Sequence, residues 1–404
     1  MEKIYLSSQK KLTGSIIPIG LLACWLFSLG LFLSKPIAHA HRYDLSIKLV
    51  LELFLVWMFY AFLPRWLNKK LFLIIILVAG LGLGFYEIKS INHQGEVTET
   101  YKSVFKDLEQ GRNPYTSGRI YHRNESDQIV YQNFNYPPME LYPYWIFYRL
   151  GHLWNLTSLT LFLIGLQALA ALILALTFKE EYGLYILAFL PLLAFSELHT
   201  NPAMTMLMLS IFLACLHRQI KKPSLLNLYL TAVIIGFGLL TKFLFIPIAA
   251  VYYFWRLDWR SWKNFFQVVS EGAVSIFISL LLMLPFGPWN VLKNTILFNL
   301  NLGERNVYTT FFPNILSGFF YLIKKPEFYP LTATAVMVLA VLFSRRLSLF
   351  SAMLFSAIIF LLVSPTPEPQ YFGTMLLLGL AARMMEELPL RDWRPINLKT
   401  VTGG

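Results

Sequence analysis

Charge is what this sequence has little of. Asp, Glu, Lys and Arg together make up 14% of its 404 residues, where soluble domains carry about 25%. That deficit excludes an ordinary water-soluble globule. Cysteine is almost absent too: Cys24 and Cys215 are the two present, each inside an apolar run, so they read as small apolar fillers and not as a disulfide or redox pair. No internal repeat marks two inverted transporter halves. No soluble nucleotide-binding domain is evident, which disfavours a nucleotide sugar as a donor.

What fills the chain instead is oil: 56% of the residues are hydrophobic and 34 are Phe. The net charge of +12 could suggest nucleic acid, but the basic residues gather in short connectors between apolar runs. Arg65/Lys69/Lys70, Arg218/Lys221/Lys222, Arg256/Arg260/Lys263 and Arg345/Arg346 have the pattern of cytoplasmic loops beside membrane spans. Membrane lipids, and not nucleic acid, are the implied partners.

Requiring about 20 apolar residues per crossing and basic connectors inside predicts an all-α polytopic membrane protein of about 12 transmembrane helices. The spans fall at residues 15–35, 46–64, 71–88, 154–177, 182–196, 203–216, 226–240, 243–255, 268–284, 329–343, 347–363 and 370–384. The first reads as a retained span and not a removed signal peptide. Both termini are expected to be cytoplasmic. Gly80, Gly82 and Gly84 in the third span are small enough to admit a neighbouring helix.

The organising stretch is the polar interval Lys89–Tyr144, delivered to the outer side by the third span. Tyr101, Val104, Phe105 and Leu108 form one face of an amphipathic helix that Gly111 stops, and this helix is expected to lie on or near the membrane surface with its polar N-terminal end turned toward a cavity. Residues 117–132 are expected to be irregular, and Pro137-Pro138 to fix an extended or turn segment. Residues 285–327, rich in Pro, aromatics and Lys, suit further interfacial helices. Four polar clusters, at 92–140, 196–202, 299–306 and 364–371, then share the outer side.

Three sets of residues could carry chemistry there. Glu96 and Glu99 either serve the first turn of the amphipathic helix electrostatically or supply a general base to an acceptor hydroxyl; a carboxylate here could also hold a divalent cation against a phosphate. His199, Lys242 and Arg305 either snorkel or bind a phosphate, with Lys242 the most telling because it interrupts two apolar segments. Asn135, Tyr136, Glu140, Gln370 and Tyr371 offer the amide, hydroxyl and aromatic groups of a sugar or acceptor pocket, or else an interfacial aromatic belt. Glu271, in the span at 268–284, is expected near the cytoplasmic end within reach of water.

An acid and a tyrosine ahead of a short helix, then GRNPYT at 111–116, FNYPPM at 134–139, LLTK at 239–242 and SPTPEPQYF at 364–372 resemble the bacterial multi-span glycosyltransferases of the GT-C fold, in the mannosyltransferase-like branch that uses polyprenyl-phosphate sugars. The likeness covers 71–385, leaving 1–70 as an additional N-terminal hairpin and 386–404 as a cytoplasmic tail. It implies a GT-C-like bundle in the bacterial plasma membrane, with a polyprenyl-phosphate-linked donor, a lipid or glycan acceptor and inverting transfer on the extracytoplasmic side. Carried onto this chain, the catalytic acid is Glu96 or Glu99, ahead of Tyr101, where the family usually has Asp. Lys242 matches a lysine near the donor phosphate. No cofactor is demanded, although a divalent cation is compatible with the chemistry. A transporter or lipid-linked-sugar flippase is the alternative expectation, and a non-catalytic scaffold a third.

Overall fold

The computed structural model describes residues 51–60, 70–89, 96–123, 129–151, 153–178, 182–195, 202–297, 320, 325–363 and 371–387. The first predicted span, Cys24, His199, Arg305 and Gln370 lie outside them. The chain is mostly helical: α1 (Leu51–Tyr60), α2 (Lys70–Lys89), α3 (Glu96–Glu109), α4 (Leu141–Arg149), α5 (Leu156–Thr177), α6 (Gly183–Ala194), α7 (Pro202–Lys221), α8 (Leu225–Gly238), α9 (Phe245–Arg256), α10 (Trp262–Met283), α11 (Pro288–Leu292), α12 (Tyr329–Ser344), α13 (Leu349–Val363) and α14 (Phe372–Glu387). Every predicted span from the second onward contains a helix. Among the described residues, three helical stretches are long and apolar enough to cross a membrane: Leu156–Thr177, Ala203–Lys221 and Trp262–Phe286. They mark the chain as a membrane protein.

The helices assemble around one large apolar core. α5 packs against α6 and α7, α2 against α6, α8 against α7 and α10, and α13 against α9, α12 and α14. Lipid tails are as apolar as Leu, so close backbone approach and interhelical hydrogen bonds must hold such a bundle together. Both are present. A Cβ on Gly236 would collide with the Ser275 carbonyl, and Ser279 donates to the Gly236 carbonyl at 2.9 Å while Ser210 donates to that of Ala170 at 2.8 Å. Gly80 and Gly84 abut Leu192 and Phe195 in the same way, whereas Gly82 faces open space.

Above one end of this bundle sits a second, smaller core, built from α3, the GRNPYT turn, α4 and the top of α10. Tyr101, Val104, Phe105, Tyr115, Ile120, Phe134, Leu141 and Tyr144 are buried in it together with Leu240, Met283 and Phe286. The structure corrects two expectations in this cap. Residues 117–132 are not wholly irregular: Ile120–Arg123 (β1) pairs antiparallel with Ile129–Gln132 (β2), Tyr121 opposite Tyr131. The hairpin forms because α3 offers side chains to it, Thr100 donating to the Tyr121 carbonyl at 2.8 Å and Ser103 accepting from the Tyr121 N–H at 3.0 Å. The apolar face of α3, in turn, is covered by protein and not by lipid. Phe105 packs on Trp145, Tyr148 and Trp154, and Tyr101 on Phe134 and Tyr144. Full burial of one such side chain contributes roughly 1.5–3 kcal/mol where water is the alternative, which is enough to fix the helix as a lid on the bundle.

Candidate functional site

Three of the stretches that carry the family resemblance interlock. Gly111 ends α3 with φ +68, a left-handed conformation that favours glycine, and Arg112 then folds back on the helix with its Nε and Nη2 donating to Asp107 Oδ1. Asn113 closes the next turn by accepting from the Tyr115 N–H at 3.0 Å, and its Nδ2 donates to the Phe286 carbonyl at 2.6 Å, fastening the turn to the top of α10. Tyr115 donates to the Tyr136 carbonyl at 2.8 Å, so the first motif grips the second. The Met139 N–H donates to the Leu240 carbonyl at 3.1 Å, so the second grips the third. Asn294, on the helical turn after α11, braces the assembly by donating to the Tyr115 carbonyl at 2.8 Å and accepting from Asn133 at 3.2 Å.

This clamp fixes one acid beside one cation. Pro137 is extended (φ −63, ψ 148) and Pro138 begins a single 3₁₀ turn that ends on Glu140, as the paired prolines predict. Glu140 is 0% exposed, and its Oε2 accepts from the Tyr101 hydroxyl at 2.7 Å. Its Oε1 lies 3.7 Å from Lys242 Nζ. Lys242 is 5% exposed and sits in the turn between α8 and α9, its ammonium 4.2 Å from the centre of the Tyr136 ring, within cation–π range. Lys242 makes no side-chain hydrogen bond to any described residue. The turn itself is tight: Thr241 donates to the Gly238 carbonyl at 2.7 Å, and a Cβ on Gly238 would strike the Phe245 ring.

Aromatic rings enclose the pair. Tyr101 stacks on Tyr144 at 4.4 Å and lies parallel to Tyr136 at 6.4 Å, while His122 of β1 is 6.4 Å from Tyr136. Burial pushes the Tyr101, Tyr115 and Tyr144 phenols well above their ordinary range, and the Glu140 carboxylate adds to the effect. They therefore stay protonated donors. The Tyr144 hydroxyl and Asn135 Oδ1 are buried without a hydrogen-bond partner among the described residues, an arrangement that costs about 1–3 kcal/mol per group unless a further group, ligand or water completes it.

The structure thus brings together Tyr136, Glu140 and Lys242 of the predicted residues, with Asn135 buried beside Tyr136 in the sequence. Tyr371 is 8% exposed and belongs to the large bundle core, as Met375 and Leu376 do. Glu96 is the first residue of α3. Glu99 is half-buried and, by helix geometry, projects roughly 160° away from Tyr101, so it does not join the Glu140–Lys242 pair. Tyr144, Asn113, Asn294 and the Asp107–Arg112 pair were not singled out by sequence. Among the described residues no three His, Cys, Asp or Glu gather as metal ligands.

The expectation for Glu271 is overturned. It is 0% exposed and held by both terminal nitrogens of Arg256, with Nη2 to Oε1 at 3.1 Å. Gln267 adds a donor at 3.2 Å. Helix α9 brings Arg256 to α10 at this depth, so the carboxylate meets a guanidinium where the sequence topology placed water.

No protein-family model, no curated protein and no solved structure matches the chain.

Proposed function

We propose that this protein transfers a sugar from a polyprenyl-phosphate donor to a hydroxyl of a lipid or glycan acceptor on the extracytoplasmic side, with inversion, as a mannosyltransferase-like member of the GT-C fold. The observation that carries the reading is the convergence of GRNPYT, FNYPPM and LLTK on one buried acid–cation pair, Glu140 and Lys242, under a cap at one end of the bundle. In this reading the bundle has about 12 spans, both termini are cytoplasmic, and the membrane is a bacterial plasma membrane.

In the reaction the acceptor oxygen forms a bond to the anomeric carbon as the bond from that carbon to the phosphate oxygen breaks. The electron pair leaves with the polyprenyl phosphate, and Lys242 stabilises the negative charge that gathers on it. The acceptor proton passes to a carboxylate. Glu140 is wholly enclosed, so Glu96 or Glu99 keeps the role of base that the resemblance implies. Arg305 and His199 are the further candidates for the phosphate, and Asn135 and Tyr136 for the sugar or acceptor. No step requires a metal, and a divalent cation would find its ligand among the same acids.

The alternative, a transporter or lipid-linked-sugar flippase, draws on polar groups within the bundle such as Arg256 and Glu271. These two satisfy one another bidentately and so are poor ligands for a passing substrate. Purified protein in lipid nanodiscs, given polyprenyl-phosphate sugars and candidate acceptors, is expected to form a glycosylated product. The Glu96→Gln, Glu99→Gln double variant should lose that activity, and full turnover by it would remove the proposed base.

A further inference from the structure

The end of the bundle opposite the cap presents a plate of aromatic rings. Helix α10 starts at Trp262 and reaches the cap core at Met283. Its 22 residues separate the two ends by roughly 33 Å at about 1.5 Å per residue, close to the ~30 Å of a bilayer's hydrocarbon. Trp259, Trp262 and Phe266 are 64%, 75% and 62% exposed, and they do not stand singly. Trp262 stacks on Phe266 with ring centres 5.9 Å apart, and Phe265 packs against Trp262 at 5.8 Å and Trp259 at 5.9 Å. Aromatic side chains gather in this way at a membrane–water boundary.

Cations are set into the plate. Arg260 and Lys263 alternate with its rings and are exposed. Lys263 lies in the first turn of α10, which holds no acid and where a positive charge opposes the helix dipole. Two arginines of the α12–α13 connector are fastened to the same place. Arg345 donates through Nη2 to the Phe254 carbonyl at 3.1 Å and to that of Leu257, and Trp255 donates to the Leu347 carbonyl at 3.1 Å. Arg345 and Arg346, both exposed, are thereby held beside the α9–α10 connector. The acid of that connector, Asp258, accepts from the Arg260 backbone N–H at 3.0 Å. The α7–α8 connector, at the same end, supplies the contrast: Arg218, Lys221 and Lys222 are exposed there, but the connector contains no Phe, Tyr or Trp.

We propose that the Trp259–Phe266 plate and its four cations bind the headgroup of an anionic glycerophospholipid in the leaflet opposite the cap. Rings alone would accept any lipid, and cations alone any anion. A negatively charged headgroup joined to acyl chains is the ligand that uses both. Trp259, Trp262 and Phe266 enter the headgroup–acyl boundary, where buried apolar area and attraction to anionic lipid act together, and the cations supply the positive field for the phosphate. This site is independent of the chemistry proposed for the cap.

The test is binding of phosphatidylglycerol and, separately, of phosphatidylcholine to the full chain in detergent, with bound lipids counted by native mass spectrometry. Wild type should retain phosphatidylglycerol in preference. Arg260→Gln with Lys263→Gln should cut that preference about fivefold for each cation removed, the worth of one Lys or Arg at an anionic membrane surface. Lys221→Gln with Lys222→Gln removes the same charge from the α7–α8 connector and should leave the preference unchanged. Trp262→Ala should weaken both lipids alike and keep their ratio. These side chains are exposed, so every variant should unfold close to the wild-type temperature. Equal loss in the two double variants would mean a diffuse positive field and overturn the site, as would equal binding of the two lipids by wild type. Wild-type affinity in Trp262→Ala would overturn the role of the plate. Displacement of the lipid by excess inorganic phosphate would assign the cations to a soluble anion and overturn the lipid as ligand.

Discussion

The molecule buries two acid–base pairs and finishes them differently. Glu271 and Arg256 meet between α9 and α10 with bidentate contact, a third donor from Gln267, and Tyr252 against the guanidinium. Glu140 and Lys242 meet at the other end of α9, roughly 18 Å of helix away at about 1.5 Å per residue, and stop at 3.7 Å, with no hydrogen bond from the lysine to any described residue. The first pair has the geometry of a closed structural cross-link. The second has that of a site waiting for one more partner. Burial alone does not separate them, since both carboxylates are 0% exposed. The distinction lies in how many hydrogen bonds each cation makes.

The largest effect should come from opening the closed pair. Arg256→Ala leaves Glu271 buried without its counter-ion, and thermal or denaturant unfolding in detergent should report a loss of about 3–5 kcal/mol. Replacing Arg256 with Met and Glu271 with Leu together should recover most of it, which would show that apolar packing can stand in for the pair's contribution to stability. Next comes the open pair's support. Tyr101→Phe removes the hydroxyl that holds Glu140, and the lost hydrogen bond to a charged group should cost about 1.5–3 kcal/mol, with weakened donor binding. The smallest effect is expected with alkali. Tyr101, Tyr115 and Tyr144 have phenol pKa values raised above the ordinary 10.0 by burial. Their contribution to stability is therefore complete below pH 10 and is lost only as pH climbs toward the raised values. Tyrosinate absorbance and cap unfolding should consequently rise together above that point, with the bundle helices melting later.

Much of this was legible in the chain. The apolar runs place a helix in every predicted span from the second onward, and three of the helical stretches are long and apolar enough to cross a membrane, a property that needs little more than length and oil. Gly111 ends α3, and Pro137-Pro138 make the turn, as their fixed backbone preferences require. Lys242 announces itself as a cation between two apolar segments. What periodicity could not show is pairing across long sequence separations. Glu140 looks like one more polar residue in an aromatic loop until Tyr101, 39 residues away, is found bonded to it. Glu271 looks solvated until Arg256 is folded against it. The face of α3 is equally apolar whether lipid or protein covers it, so its burial under Trp145, Tyr148 and Trp154 was invisible. The β1–β2 hairpin owes its order to Thr100 and Ser103 of α3 and not to its own polar sequence.

The most direct measurement is sugar transfer from a polyprenyl-phosphate donor by Lys242→Gln in nanodiscs, beside wild type and Arg256→Lys. Glutamine keeps a polar amide in the turn but carries no charge for the phosphate. The account predicts a fall in turnover of about 10²–10³-fold, the scale of losing one electrostatic contact to a developing negative charge, with the cap still folded and Arg256→Lys little affected per folded molecule. Wild-type turnover by Lys242→Gln would contradict it.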